Sequence, residues 1–311
     1  MKTGIIYCPK RAGLKSPQKR WCQIANALEK HSVSYDLVQS ESDESVERLI
    51  TMLIHNDYDT IIIAGGDTAL NDAVNCLMRE ESAVRENITL GVIPNGLMND
   101  FALFWGFRES DVEQVAESIA ARRTRKIDAA CLHYTDKNGI AHNHYFLNSV
   151  NVGLVAAIQR LRQQTRKIFW SRKASYIISL ALLIFQRMTY KLRYTINYET
   201  EEHNLMTLCA GNALGYGLTP NGVPYNGLLD ISAVKQAVTT QIFTGIALFL
   251  RGKLLNHRSI LPYRCHEIDI ELPRMKDTPV SIDGKLLNVS CRHTGLHLYV
   301  EQEAINFIIE K

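Results

Sequence analysis

The chain has 311 residues, 46% of them hydrophobic and 22% charged, with a formal net charge of +3. That length exceeds what one small domain needs and suits two, with enough apolar side chains for real cores. So small a net charge leaves no electrostatic footprint for nucleic acid. The seven cysteines, Cys8, Cys22, Cys76, Cys131, Cys209, Cys265 and Cys291, are scattered, odd in number and without a C-x-x-C pair. This fits free thiols in a reducing compartment and argues against a disulfide framework or a zinc site. Residues 1–7 carry neither a long apolar stretch nor a cleavage signature, so a cytoplasmic location is expected. The most apolar run, 176–185, is shorter than the roughly 20 residues that a bilayer span needs.

Along the first 127 residues strand-like and helix-like patterns alternate. Residues 4–7 form a short apolar run. Residues 18–30 place Trp21, Ile24, Ala25 and Leu28 at helical spacing. A second strand is expected over 34–38 and a second helix over 44–56. Residues 60–64 are β-branched and uninterrupted, the pattern of a strand buried on both faces. They end in Gly65-Gly66-Asp67. Residues 70–79 read as helix, 90–94 as another buried strand, and 111–123 as a helix ending in a basic cluster. Such alternation implies a parallel sheet covered by helices on both faces, with ligands bound beyond the carboxyl ends of its strands. Gly65-Gly66 and Asn95-Gly96 both fall at those ends, and the two turns are expected side by side.

From Lys126 onward the pattern changes to short alternating segments at 145–148, 191–198, 206–210, 229–234, 266–272 and 279–282. Asn221-Gly222, Asn226-Gly227 and Asp283-Gly284 punctuate them as turns. A mostly antiparallel second domain, a sandwich or barrel, is expected, interrupted by one helical insert at 160–186.

Two segments carry the chemistry. Residues 61–78 read IIIAGGDTALNDAVNCLM. Here a buried strand, a glycine turn and a helix start can form a phosphate cradle, because glycines let the backbone approach the ligand and the helix presents N–H groups at its positive end. The plainer alternative is an ordinary strand-to-helix turn. Residues 90–102 read LGVIPNGLMNDFA and repeat the pattern, with Asn99 and Asp100 placing an acidic residue where Mg²⁺, which prefers carboxylates and water, could be held.

In this order and spacing the pair resembles the diacylglycerol kinase catalytic-domain family, which includes bacterial lipid kinases and the sphingosine and ceramide kinases. That family reads GGDGT-x-N-E-V-x-N-G, then P-x-G-T-x-N-D-F-A. The resemblance continues collinearly. Phe146-Leu147-Asn148 with Gly153 is similar to F-x-N-x-x-x-x-G. Gly211-Asn212-Ala213 through Pro220 to Asn226-Gly227-Leu228-Leu229-Asp230 is similar to G-N...P-x-A...D-G-x-L-D. Ser281-Ile282-Asp283-Gly284-Lys285 is similar to the D-G-E segment. The resemblance implies an α/β N-terminal domain with a parallel sheet of the NAD-kinase and phosphofructokinase type over 1–127. A β-sandwich lipid or substrate domain would follow over 128–295, and 296–311 would return to the first domain.

The resemblance also implies ATP and Mg²⁺ as cofactors, and a lipid such as diacylglycerol or a related alcohol as substrate. It assigns nucleotide binding to Gly65, Gly66, Asp67, Thr68, Asn71, Gly96, Leu97 and Asn99, metal binding to Asp67, Asp100 and Asp283, and catalysis to positions 226, 230 and 285. Several of these depart from the family pattern. Thr68 and Ala69 replace glycine and threonine, and Leu97 replaces the second threonine. Asn226 stands where the family has its aspartate general base, Lys285 stands where it has glutamate, and Asp230 is kept. Ala69 and Leu97 offer no hydroxyl to phosphate, an amide accepts no proton, and Lys285 repels Mg²⁺ while attracting an anion directly. The expectation is therefore a lipid kinase with weakened or lost catalysis. The alternative is a non-catalytic relative that acts by binding nucleotide, phospholipid or a protein partner.

No Asp or Glu occurs over 137–198, whereas Arg160, Arg162, Arg166, Lys167, Arg172, Lys173, Arg187, Lys191 and Arg193 do, with Phe169, Trp170 and Tyr176. A basic, aromatic-bearing block suits an anionic membrane surface, which adds a peripheral position at the inner face of the membrane to the expected cytoplasmic one. A solvated basic face or a homodimer contact are the plainer readings. For His142 with His144, and for His293 with His297, no acidic or cysteine partner completes a metal set nearby, so they read as strand and surface histidines rather than metal ligands.

Overall fold

The computed structural model describes residues 2–9, 16–41, 45–96, 99–165, 189–214, 218–236, 244, 248, 254–273, 278–289 and 295–310. The chain divides into two compact units, Met1–Ala129 with Gln302–Lys311, and Ala130–Glu301.

The first unit runs β1 (Thr3–Tyr7), α1 (Pro17–Lys30), β2 (Asp36–Gln39), α2 (Ser45–His55), β3 (Thr60–Gly65), α3 (Asp67–Arg79), α4 (Ser82–Arg85), β4 (Thr89–Pro94), α5 (Asp100–Phe104) and α6 (Val112–Ala121). β2, β1, β3 and β4 lie side by side in that order, all parallel. β1 and β3 are buried along their whole length, which matches the apolar runs that follow their opening threonines, Thr3 and Thr60. The chain leaves β1 toward β2 on one side and returns to β3 on the other. The carboxyl ends of β1 and β3 therefore flank a topological switch point, where open α/β sheets leave a crevice.

α1 starts with proline at its first turn, which costs no hydrogen bond there. α3 begins three residues before the apolar periodicity does. Its first turn, Asp67-Thr68-Ala69, is polar or small, and Gly66 serves as N-cap.

β5 (Thr124–Thr135) leads out of the first unit into the second. There β6 (Ala141–Phe146), β7 (Ser149–Gly153), α7 (Leu154–Thr165), β8 (Tyr190–Ile196), β9 (Glu199–Gly211), β10 (Leu229–Lys235), β11 (Ile260–Cys265), β12 (Glu267–Glu271), β13 (Val280–Ile282) and β14 (Lys285–Leu287) follow. β15 (Gly295–Ile308) starts in this unit and ends in the first. The pairings within the second unit are antiparallel, giving a β-sandwich-like domain.

β9 is long enough to serve two neighbourhoods. Residues 199–205 pair with β8, while 207–211 pair with β7 on one edge and β10 on the other. β8 alternates buried and exposed residues, so Tyr190, Leu192, Tyr194 and Ile196 enter the core. On the β13–β7–β9–β10 sheet, Val280, Val150, Ala210 and Ile231 join that core from one face. On the other face Ser281, Asn151, Cys209 and Ser232 are each 0% exposed. This sheet is buried on both sides, apolar on one and polar on the other.

The helical insert expected at 160–186 starts earlier, at Leu154, because Leu154, Ala157 and Ile158 pack on Met206 of β9; residues 166–188 lie outside the described residues. β7 and β15 carry no run of apolar residues and were not expected as strands. β7 interleaves Val150 and Val152 with Ser149 and Asn151, while the residues of β15 change surroundings where the strand passes from one unit to the other.

The end of β15 completes the first unit. Asn306 and Phe307 pair in parallel with Thr89 and Leu90, and the Phe307 ring meets Phe101 edge-on at 5.2 Å and Trp105 at 6.1 Å. Phe307 and Phe101 are 0% exposed. Phe307→Ala is expected to destabilise the first unit by about 3–5 kcal/mol, read as a lower urea midpoint, since it removes a ring from a packed core. A loss under about 1 kcal/mol would show that this strand end is not part of that core.

Candidate active site

The two glycine turns of the first unit are in contact. Gly65 and Pro94 are register partners at the ends of β3 and β4, and the Asn95 N–H donates to the Gly65 carbonyl at 2.8 Å. A Cβ added to Gly66 would lie 2.8 Å from the Gly96 Cα, and one on Gly96 would lie closer still to Gly66. Only glycine at both positions permits this approach. Asn99, at φ +56°, accepts the Gly96 N–H on Oδ1 at 2.7 Å.

Asp67, the first residue of α3, accepts the N–H groups of Asp100 and Phe101 at 3.1 Å each, so one helix start holds the other through a carboxylate. Thr68 and Ala69 occupy the first turn of α3, whose N-terminus has no side-chain cap. Asn71 is buried and turned toward its own helix, its Oδ1 accepting from Asn75 Nδ2 at 3.3 Å. Leu97 lies outside the described residues.

Two further residues tie this edge together, and of them only Arg20 was not singled out in the sequence. Asn95 Nδ2 donates to the Cys8 carbonyl at 2.9 Å, joining the ends of β1 and β4. Arg20 is buried, its Nη2 donating to the Pro94 carbonyl at 3.0 Å, and burial holds its guanidinium below the usual arginine range. The signal available for Arg20 was its place on the apolar stripe of α1, four residues before Ile24.

In the second unit Asp283 has a structural task. At φ +41° and buried, it accepts the Leu147 N–H at 2.9 Å on one oxygen and those of Asn148 and Ser149 at 3.0 and 2.9 Å on the other. The Asn148 carbonyl in turn accepts the Asn212 N–H at 2.9 Å, and Asn212 Nδ2 donates to the Leu147 carbonyl at 3.3 Å. Three segments that are distant in sequence thus meet at one carboxylate.

Asp230 is buried, accepts the Asn221 N–H at 3.1 Å and lies 3.8 Å from Arg264 Nε. Asn226 is exposed, and its Oδ1 accepts the Leu228 N–H at 3.0 Å. Lys285 opens β14, opposite Ile282.

Comparison with known proteins agrees with this geometry. Residues 4–132 match the diacylglycerol kinase catalytic domain, and residues 148–295 match the YegS C-terminal NAD kinase beta sandwich-like domain. Residues 4–132 thus form a catalytic domain of the diacylglycerol kinase family, followed by the sandwich domain of YegS-type proteins. It is 25% identical to a Bacillus subtilis (strain 168) diacylglycerol kinase over 232 residues, 74% of this chain and 72% of that protein. Its fold matches a Bacillus anthracis str. Sterne diacylglycerol kinase crystal structure at TM-score 0.68, with 18% identity and coverage of 99% and 97% of the two chains. It also matches yeast NADH kinase at TM-score 0.54, with 9% identity and coverage of 100% and 84%.

Family membership implies ATP as phosphoryl donor. The uncapped start of α3 beside Gly66 fits a phosphate, since its N–H groups carry the positive end of the helix. A divalent ion fits the same residues less well. Asp67 and Asp283 direct their carboxylates at backbone N–H groups, and among the described residues no group of three or more His, Cys, Asp or Glu is arranged to hold a metal. Among the described histidines, His142 pairs with Asp136 at 3.2 Å and His297 with Asp269 at 2.8 Å. The six described cysteines are free, and burial pushes the Cys209 and Cys265 thiols up to about 12.

Burial raises the Asp230 carboxyl above its ordinary range, more than Asn221 and Arg264 lower it. The folded state therefore prefers the protonated acid. Its stabilising contribution is full below the unfolded carboxylate pKa and is lost as pH rises through the raised folded value. Asp230→Asn is expected to be at least as stable as the parent near neutrality in urea unfolding. That advantage should close as pH falls below about 4. A variant that is less stable at neutral pH would show that the pairing with Arg264 outweighs burial.

Proposed function

We propose that this family member binds ATP at the carboxyl edge of its parallel sheet and phosphorylates the hydroxyl of a lipid, diacylglycerol or a related alcohol, with much reduced turnover. The observation that carries the reading is the Gly66–Gly96 contact beside the start of α3, whose N–H groups have no side-chain cap and carry the positive end of the helix. In this proposal Gly65, Gly66, Thr68 and Gly96 shape the phosphate site, and Leu97 borders it. Asp67, Asn71 and Asn99 hold its loops. Phosphoryl transfer depends mainly on positioning and electrostatics, so a site that keeps its shape can retain slow chemistry. Mg²⁺, carried by the nucleotide, would supply charge neutralisation of the phosphates.

The proposed deficit lies at positions whose side chains would touch substrate. Asn226 offers an amide where the family has its base. Lys285 brings a positive charge where the family has a carboxylate, and Ala69 lacks a hydroxyl. A non-catalytic binding role is the second reading, favoured by Asn226 itself, whose exposed side-chain oxygen already accepts the Leu228 N–H.

Fresh protein is expected to turn over ATP and diacylglycerol far below the about 1–100 per second usual for kinases. Asn226→Asp should raise the rate by up to about 10²–10⁴. The combined Thr68→Gly, Ala69→Thr, Leu97→Thr, Asn226→Asp and Lys285→Glu variant should exceed it, because residues acting as a unit are not additive. A radiolabelled-phosphate assay with fresh parent protein running at ordinary kinase rates would refute the impaired site. An ATP-dependent thermal shift without turnover in any variant would favour the binding role.

The proposal places the protein in the cytoplasm and at the inner face of the membrane. Among the described residues no helix is long and apolar enough to cross a bilayer, and the basic block at 160–193 is the proposed contact with anionic lipid. Residues 166–188 of that block lie outside the described residues. Arg166, Lys167, Arg172 and Lys173 changed together to Glu should abolish salt-sensitive sedimentation with anionic vesicles. Unchanged sedimentation would assign the block to a solvated face or a homodimer contact.

A further inference from the structure

The turn that carries Asn226 is arranged for chemistry on its own side chain. Asn226 is exposed and is followed by Gly227, a buried residue at φ +71° that carries no Cβ beside its peptide nitrogen. The Asn226 Oδ1 accepts the Leu228 N–H at 3.0 Å. This hydrogen bond closes a ring through Cβ, Cα and the Gly227 peptide, so the side chain is folded back over its own following peptide bond. The Leu228 N–H belongs to the next peptide unit, Gly227–Leu228, and on the far side of that unit His266 Nδ1 lies 2.7 Å from the Gly227 carbonyl oxygen, which can only accept, so the ring nitrogen donates.

The three groups form a hydrogen-bond chain. The His266 N–H polarises the Gly227 carbonyl, the Leu228 N–H of that peptide becomes a stronger donor, and the Asn226 carboxamide loses electron density through Oδ1. A carbonyl oxygen held by a donor is also where negative charge is stabilised when its carbon is attacked.

We propose that Asn226-Gly227 is a self-modification site through which the chain makes the carboxylate its sequence lacks. The Gly227 peptide nitrogen adds to the Asn226 Cγ, forming a five-membered succinimide. The carboxamide C–N bond breaks, and its nitrogen leaves as ammonia with the proton taken from the Gly227 amide. Water then opens the ring. Addition at Cγ restores the normal backbone with aspartate at position 226, whereas addition at the Asn226 main-chain carbonyl carbon gives isoaspartate. The sum is one water consumed and one ammonia released, with no oxidation or reduction.

Only the first opening places a carboxylate on an ordinary side chain at the position proposed above for the general base. This inference rests on that reading of position 226. The fresh chain is then a precursor, and the age of the protein sets how much of it carries a proton acceptor.

The test follows freshly purified full-length protein during incubation at mildly alkaline pH and physiological temperature. Peptide mass mapping locates aspartate and isoaspartate, ammonia is quantified, and kinase activity on diacylglycerol vesicles is assayed in the same samples. Aspartate is expected to accumulate at position 226. Activity should rise in proportion to the aspartate fraction and approach that of the directly made Asn226→Asp variant, a gain of up to about 10²–10⁴. Asn226→Gln, which would need a six-membered ring, should neither release ammonia there nor gain activity. His266→Phe, which breaks the hydrogen-bond chain, should slow both.

If position 226 stays asparagine in the native protein while the urea-unfolded chain converts, the self-modification is refuted and the functional reading stands. Conversion to isoaspartate alone refutes the latent base. If Asn226→Asp is as inactive as the fresh parent while native protein still converts, the modification site stands and the reading of position 226 as the base fails.

Discussion

Two glycine backbones pressed together, Gly66 against Gly96, form the constraint on which the carboxyl edge of the first unit's sheet depends. A Cβ at either would drive the turns after β3 and β4 apart. The contact has further conditions, and neighbouring residues meet them. Gly65 accepts the Asn95 N–H, Asn99 adopts a left-handed conformation to take the Gly96 N–H, and Asp67 reaches from the start of α3 to hold the start of α5. The turns are positioned by short polar bonds to backbone, and these require the strands beneath to be rigid. The apolar cores of β1, β3 and β4 supply that rigidity.

The same arrangement separates the family's motif residues into two kinds. Gly66, Asp67, Gly96, Asn99, Asp230 and Asp283 remain, and each holds or closely approaches backbone of its own unit. Ala69, Leu97, Asn226 and Lys285 depart from the pattern, and the function proposed for those positions is contact with phosphate, metal or substrate hydroxyl. A substitution at the first kind endangers folding, since each buried donor or acceptor left without its partner costs about 1–3 kcal/mol. Substitution at the second kind would, in the function proposed above, bear on chemistry more than on folding.

The parallel sheet was legible because Ile61, Ile62 and Ile63 have no polar neighbour to break the run, and glycine punctuation marked its ends. The antiparallel character of the second unit was legible from its turn dipeptides. β7 was not, because its buried polar face replaces half of the expected apolar alternation with Ser149 and Asn151. Nor were the roles of Asp67 and Asp283. A motif aspartate looks the same in sequence whether it faces a ligand or the amides of a loop 33 or 136 residues away. Arg20 was equally hidden, since its guanidinium donates to a carbonyl 74 residues distant.

β15 has a consequence for dissecting this molecule. Its last residues supply the strand beside β4 and the Phe307 ring that covers Phe101 and Trp105, although they follow the entire second unit in sequence. A fragment cut after Ala129 would therefore carry an open edge at β4 with bare aromatic rings beside it, the combination that promotes edge-to-edge aggregation. The first unit is better isolated by circular permutation. Fusing 302–311 ahead of residue 1, through a linker sized to the gap, keeps the part of β15 that pairs with β4 in one polypeptide with β1 to β4. The order of synthesis has the same implication, since the first unit cannot finish its sheet until residues 306–307, which follow the whole second unit, leave the ribosome.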